Sequence, residues 1–167
     1  MNRRTLLSTA VVGFAGGVSG CIGGGGEVVT TVQRSVSIRP GRGWVKTIPD
    51  VSDPGGAIQY RAKADRKFDI YFFSTEESYM FYDTFVDGDE PAMTPAGNTD
   101  VGTTAQLVAE DTYEAATPNG GAREVIDDTG PYFFVVDHSA YGDTTPGDEP
   151  RPLDVFVDLT VTQRKLI

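Results

Sequence analysis

From Leu153 to Gln163, apolar side chains stand at every odd position through Val161: Leu153, Val155, Val157, Leu159 and Val161. Polar Asp154, Asp158, Thr160 and Thr162 lie between them. A period of two is that of an extended strand with one buried and one wet face, whereas helical geometry would spread these residues around an axis. The run Tyr132-Phe133-Phe134-Val135-Val136-Asp137-His138 is apolar on both faces, which predicts a strand in the middle of a sheet. These two segments commit the chain to sheet structure.

The same pattern recurs upstream. Val28, Thr30, Val32, Val36 and Ile38 recur at even positions between Glu27 and Ile38. After the Pro40-Gly41-Arg42-Gly43 turn, Trp44 to Ile48 resumes an extended run. Ala57 to Ala64 alternates, and Phe68 to Phe73 follows Asp65-Arg66-Lys67, which reads as a hairpin. One helix is expected near 76–86: Ser74-Thr75-Glu76-Glu77 offers a hydroxyl cap and acids for the positive end of the helix dipole, and Tyr79, Tyr82, Phe85 and Val86 follow at spacings of three and four. The stretch from Asp87 to Asp100 reads as a loop. Thr103–Val108 and Thr112–Ala116 are weaker strand candidates, and Asn119-Gly120-Gly121 and Asp127 to Gly130 are turns. The expected fold is all-β: a two-sheet antiparallel β-sandwich of seven or eight strands with one short helix.

The first twenty residues do not belong to that domain. Arg3 and Arg4 precede an apolar core of about 13 residues, too short for the roughly 20 that span a bilayer. This is the layout of a signal peptide, and the adjacent arginines resemble the twin-arginine export signal, which is read by a receptor and passes folded proteins. Val18-Ser19-Gly20-Cys21 resembles a prokaryotic lipobox, which implies covalent lipid on Cys21, the only cysteine of the chain. A lone cysteine also excludes an intrachain disulfide. Gly23 to Gly26 then reads as a tether. The expected division is signal peptide 1–20, lipidated Cys21 with its tether to 26, and a single domain over 27–167 on the outer face of the cell membrane.

Of the 14 basic and 24 acidic side chains, residues 1–20 hold two arginines and no acid, so the remainder carries a formal charge of −12. Such a surface repels nucleic acid. Acids scattered among turns are a halophile-like pattern, since at molar salt the Debye length is about 3 Å and self-repulsion is screened. Together with the export and lipid signals this resembles the surface lipoproteins of haloarchaea.

A second resemblance rests on three segments: Phe68 to Tyr82, Gly130 to Ser139, and Leu153 to Thr162. They are similar to the GOLD-like or jelly-roll β-sandwich of archaeal surface lipoproteins, whose penultimate strand ends in Gly-x-Tyr-x-x-Val-Val-Asp-Asn. His138 stands here in place of the Asn, and Pro91 to Arg123 matches little. The resemblance implies a binding or interaction module, and fold alone does not fix a function.

No catalytic constellation is expected. His138 is the only histidine, Ser139 is its direct neighbour, and Cys21 is committed to lipid, which leaves no triad. The same shortage of ligands argues against blue copper and structural zinc. His138 is expected to end the buried strand as a hydrogen-bonded turn residue. Calcium would draw on Asp87, Asp89, Asp137 and Asp143, with Asp148 and Glu149 nearby, but no Asp-x-Asp-x-Asp-Gly loop occurs, and solvated acids are the preferred reading. Paired carboxylates would also serve glycoside hydrolysis, although such pairs arise by chance among so many acids. The aromatics Tyr79, Phe81, Tyr82, Phe85 and Tyr141 form either a sugar-stacking platform or core capping one end of the sandwich. Trp44, beside a turn, is a further candidate for reaching a ligand. Expected partners are the membrane, through the lipid, and an envelope protein or surface glycan.

Overall fold

The structure, a computed structural model, describes residues 26–51, 55–88, 103–142 and 151–165. Ten strands among these residues form two antiparallel sheets. In the first, β1 (Gly26–Ile38), β10 (Leu153–Arg164), β3 (Gly56–Ala64), β7 (Thr112–Ala116) and β6 (Gln106–Ala109) lie side by side in that order, and β8 (Glu124–Ile126) pairs with the start of β3. The second has the order β2 (Arg42–Ile48), β9 (Tyr132–His138), β4 (Asp69–Phe73), β5 (Thr103–Thr104). The fold is therefore the all-β two-sheet sandwich that the alternating segments predict.

The alternation in β10 works as its sequence demands. Leu153, Val155, Val157, Leu159 and Val161 are fully buried between the sheets, while Asp154, Phe156 and Asp158 face out. Each such side chain contributes about 1.5–3 kcal/mol by leaving water. In β9 all seven residues are buried, because one face meets the first sheet and the other lies under a helix. Tyr60 meets Phe134 edge-on at 5.1 Å, and Phe72 stacks on Tyr132 at 4.9 Å, across and along this core.

The helix α1 (Glu76–Val86) occupies the predicted span. Thr75 caps it, its Oγ1 accepting from the Ser78 amide at 3.1 Å, and Glu76 and Glu77 occupy the first turn. It ends at Asp87 and Gly88, whose φ of 88° suits glycine. The helix covers a second apolar cluster of Tyr71, Phe73, Tyr82, Phe133 and Val135 on the outer face of the second sheet. No helix among the described residues is long and apolar enough to cross a membrane.

The expected hairpin of 57–64 with 68–73 is corrected. β3 lies between β10 and β7, and β4 lies beside β9 in the other sheet. All five residues of β4 are buried, so this strand needs cover on both faces, and only the sheet beneath α1 provides it. The link at Asp65–Phe68 crosses between layers about 10 Å apart. In the central segment, β6 and β7 form a hairpin through Asp111 (φ 51°), and a helical turn at Pro118–Gly121 holds Asn119 and Gly120 at positive φ.

The strands define two ends. At one, β1 begins, β10 finishes and β3 begins, with Gly26 paired to Arg164. At the other lie the β1–β2 turn, the Asp65–Phe68 link, the end of β9 and the start of β10. β1 itself is about 40 Å long.

Candidate functional site

Two acids interrupt otherwise apolar strands. Asp69 in β4 and Asp137 in β9 are direct cross-strand partners, 4% and 1% exposed. The Tyr82 hydroxyl, descending from α1, donates to Asp137 Oδ1 at 2.6 Å. Ser139 donates its amide to the same oxygen at 3.2 Å and its hydroxyl to Oδ2 at 3.0 Å. The Thr104 hydroxyl donates to Asp69 Oδ1 at 2.6 Å. Burial raises Asp137 from 3.8 to about 6, against the hydrogen bonds from Tyr82 and Ser139, and the charge of Asp69 adds to the rise. Burial, reinforced by the neighbouring acids, also drives the Tyr71 and Tyr82 phenols far upward, so both remain protonated donors.

Glycines make room for this cluster. Gly43 in β2 pairs with Asp137, and a Cβ there would overlap the Tyr82 hydroxyl. A Cβ on Gly142 would overlap the Tyr71 hydroxyl and stand 3.1 Å from Asp69 Oδ2. The tyrosines thus pass over bare backbone to reach the acids, which explains a glycine inside a strand.

Of the helix aromatics, Tyr82 is core, Tyr79 and Phe85 are half-buried, and Phe81 is exposed. Tyr82 is buried, on the core side of the two alternatives. Tyr79 is half-buried, stacks on Phe133 at 4.3 Å and donates to Asp83 at 3.2 Å. Its phenol is pushed up to about 12, first by burial and then by Asp83. Tyr141 is half-buried and meets Tyr71, Tyr82 and Phe85 edge-on at 5.0–5.4 Å. These rings seal the acid pair.

Trp44 lies in β2, an edge strand of the second sheet, as β1 is of the first. It packs partly into the main core, and the Arg34 guanidinium lies 5.6 Å from its ring centre. Beside it runs a groove of about 410 Å³ lined by Ser37, Ile38, Arg39, Arg42, Gly43 and Trp44.

His138 is 3% exposed, and neither ring nitrogen has a hydrogen-bond partner among the described residues. Its carbonyl accepts from the Gly41 amide at 2.9 Å, so the backbone, and not the ring, makes the expected turn contact. Burial and the Arg66 charge hold the imidazole below its ordinary value, against the nearby Arg151 backbone. Ser139 turns its hydroxyl to Asp137, leaving no serine–histidine pair.

Of the proposed calcium ligands, Asp87 is surface-exposed and bonds to Arg42 at 2.6 Å, while Asp137 is enclosed by its donors. Asp89 and Asp143 lie outside the described residues, as do Arg3, Arg4, Val18, Ser19, Gly20 and Cys21. Among the described residues no group of three or more His, Cys, Asp or Glu side chains could hold a metal ion.

Among the described residues no element covers the middle of the first sheet's outer face, where Arg61, Phe156 and Asp158 are exposed. A groove of about 520 Å³ is lined by Gln59, Tyr60, Arg61, Gly121, Asp158 and Thr160. The Pro118–Gly121 turn forms its wall, held by Gln59 Nε2 donating to the Gly121 carbonyl at 2.7 Å and by Arg61 donating to the Gly120 carbonyl. Phe156 emerges on the same face, 43% exposed, two residues from Asp158. Sequence reasoning passed over this face, although Phe156 is readable as the apolar residue at an even position of β10. It also passed over Asp69, whose signal was an acid in an apolar strand.

The chain matches no protein-family model and no curated protein.

Proposed function

We propose that this chain is an exported, lipid-anchored β-sandwich that acts as a non-catalytic binding or interaction module on the outer face of the cell membrane. The observation that carries the reading is the direct succession of lipobox, glycine tether and strand: β1 begins at Gly26, five residues after Cys21. The paired carboxylates, which would be the means of a hydrolase, lie sealed under Tyr82 and Tyr141. That enclosure supports a structural role for them and leaves the uncovered face of the first sheet as the recognition surface. Cys21→Ser is expected to release the protein into the medium. A membrane fraction undiminished by the substitution would sink the anchor.

A second reading, a carbohydrate-binding accessory domain of the envelope, is favoured by one observation, the exposed Phe156 beside the groove of Gln59, Asp158 and Thr160. A ring able to stack on a sugar and planar groups able to bond its hydroxyls lie on one flat face. Titration with surface glycans at high salt checks it, and the absence of any heat or fluorescence change counts against it.

A further inference from the structure

The end of the sandwich at which the chain enters differs from the rest of an acidic surface. Four residues separate Cys21 from Gly26, so the five steps between them span at most about 18 Å of extended chain. Gly26 pairs with Arg164, and Lys165 follows. Arg123 reaches the same corner: its Nη2 donates to Thr162 Oγ1 at 2.9 Å and lies 3.3 Å from where a Cβ on Gly26 would stand. Arg123, Arg164 and Lys165 are all exposed.

Apolar side chains accompany these cations. Val28 pairs with Thr162, Thr162 with Ala57 and Ala57 with Val125, which makes one row across four strands. Val28 and Val125, at its two ends and about 14 Å apart, are 54% and 56% exposed. The next row, Thr31–Thr160–Gln59, is polar. The described acids of this end lie off that row, including Glu124, which pairs with Ile58 and stands between Arg123 and Val125 in the sequence. Glu27, which accepts from the Gln163 amide at 3.2 Å, belongs to the alternate row. Asp127 and Asp128 lie in the turn that leads to Tyr132 and the second sheet.

We infer that this corner is a membrane foot: Arg123, Arg164 and Lys165 meet anionic lipid headgroups, and Val28 and Val125 enter the headgroup boundary. The inference rests on the anchored reading above. A single lipid chain gives marginal, reversible attachment, and stable anchoring takes a second signal such as a basic patch. Each cation near an anionic surface raises binding about five-fold. At molar salt the Debye length is about 3 Å, so only cations in direct contact keep this effect, while the valines are not screened.

A domain standing on this foot holds β1 upright. Arg34, eight residues beyond Gly26, and the Trp44 ring against it then lie about 25 Å above the headgroups. Trp44 is the only tryptophan in the chain, so energy transfer from it to a headgroup-linked acceptor reads the height directly.

The test places the lipidated full-length protein in vesicles of phosphatidylglycerol or of phosphatidylcholine, each with a dansyl-labelled headgroup. On phosphatidylglycerol the wild type should show weak transfer, and Arg164→Gln/Lys165→Gln should raise it as the domain swings on its tether. On phosphatidylcholine the wild type should already behave as the variant. The Cys21→Ser protein, without lipid, should still bind phosphatidylglycerol vesicles, about 25-fold less tightly after both cations are removed. Transfer that is equal for wild type and variant on both vesicles overturns the foot. If mass spectrometry finds no lipid on Cys21, the anchored reading falls instead, and the foot is then decided by the vesicle affinity of the Cys21→Ser chain: loss of affinity with the two cations supports it, and unchanged affinity overturns it.

Discussion

Asp137 holds its proton more tightly in the fold than in the open chain, because burial raises it from 3.8 to about 6. For a raised acid, the linked stability is fully present below about pH 4 and is lost as pH climbs through about 6. The displacement corresponds to about 3 kcal/mol at full effect. His138 runs the other way: its lowered imidazole contributes stability above the ordinary histidine value and loses it as pH falls. Urea unfolding of the wild type and Asp137→Asn between pH 4 and 6.5 separates the two, since the variant should lose the Asp137 slope and keep that of His138. Equal slopes would mean that the carboxyl titrates as in water. Gly43→Ala should cost about 1–3 kcal/mol by overpacking against the Tyr82 hydroxyl. In a Tyr82→Phe background, where that hydroxyl is gone, the same change should cost less. Additive losses in this double-mutant cycle would show that the two residues do not meet.

At the scale of elements, β10 and α1 were legible from their own periods, and β9 from an unbroken apolar run between turn signals. A period of two, however, states which side chains share a face and not which sheet the strand joins. Ala57–Ala64 and Phe68–Phe73 therefore read as a hairpin from their short link, when the burial of both faces of β4 was the decisive fact. The acid pair was half legible: Asp137 stood out at the end of an apolar run, but its partner Asp69 and the Tyr82 that bonds it come from distant segments, and only the register of β4 on β9 joins them. The open face was legible in one strand and invisible as a groove, because the turn that forms its wall is held by Gln59 and Arg61 from β3. The helix offers the clearest test at this scale. Thr75→Ala should cost about 1 kcal/mol by freeing the Ser78 amide, and Thr75→Ser should restore most of it. Thermal unfolding of the three proteins checks the order, and an Ala variant as stable as wild type would remove the cap from the account.

At the scale of the molecule, a formal charge of −10 on 167 residues sets the response to salt. Repulsion among exposed acids acts over about 10 Å at 0.1 M and about 3 Å at 1 M, so the unfolding midpoint should rise steeply over that interval in potassium chloride. A midpoint independent of salt would count against the halophile-like reading. The sheet order has a consequence for timing. β1, the first strand among the described residues, pairs from end to end with β10, the last of them. That pairing closes a loop of nearly the entire domain, and contacts so distant in sequence form late. On the export reading, the strand beside the signal stays an open edge until the last strand of the domain has been made. A chain cut short before β10 would then present an unpaired β1 next to its own address, which ties passage across the membrane to completion of the chain.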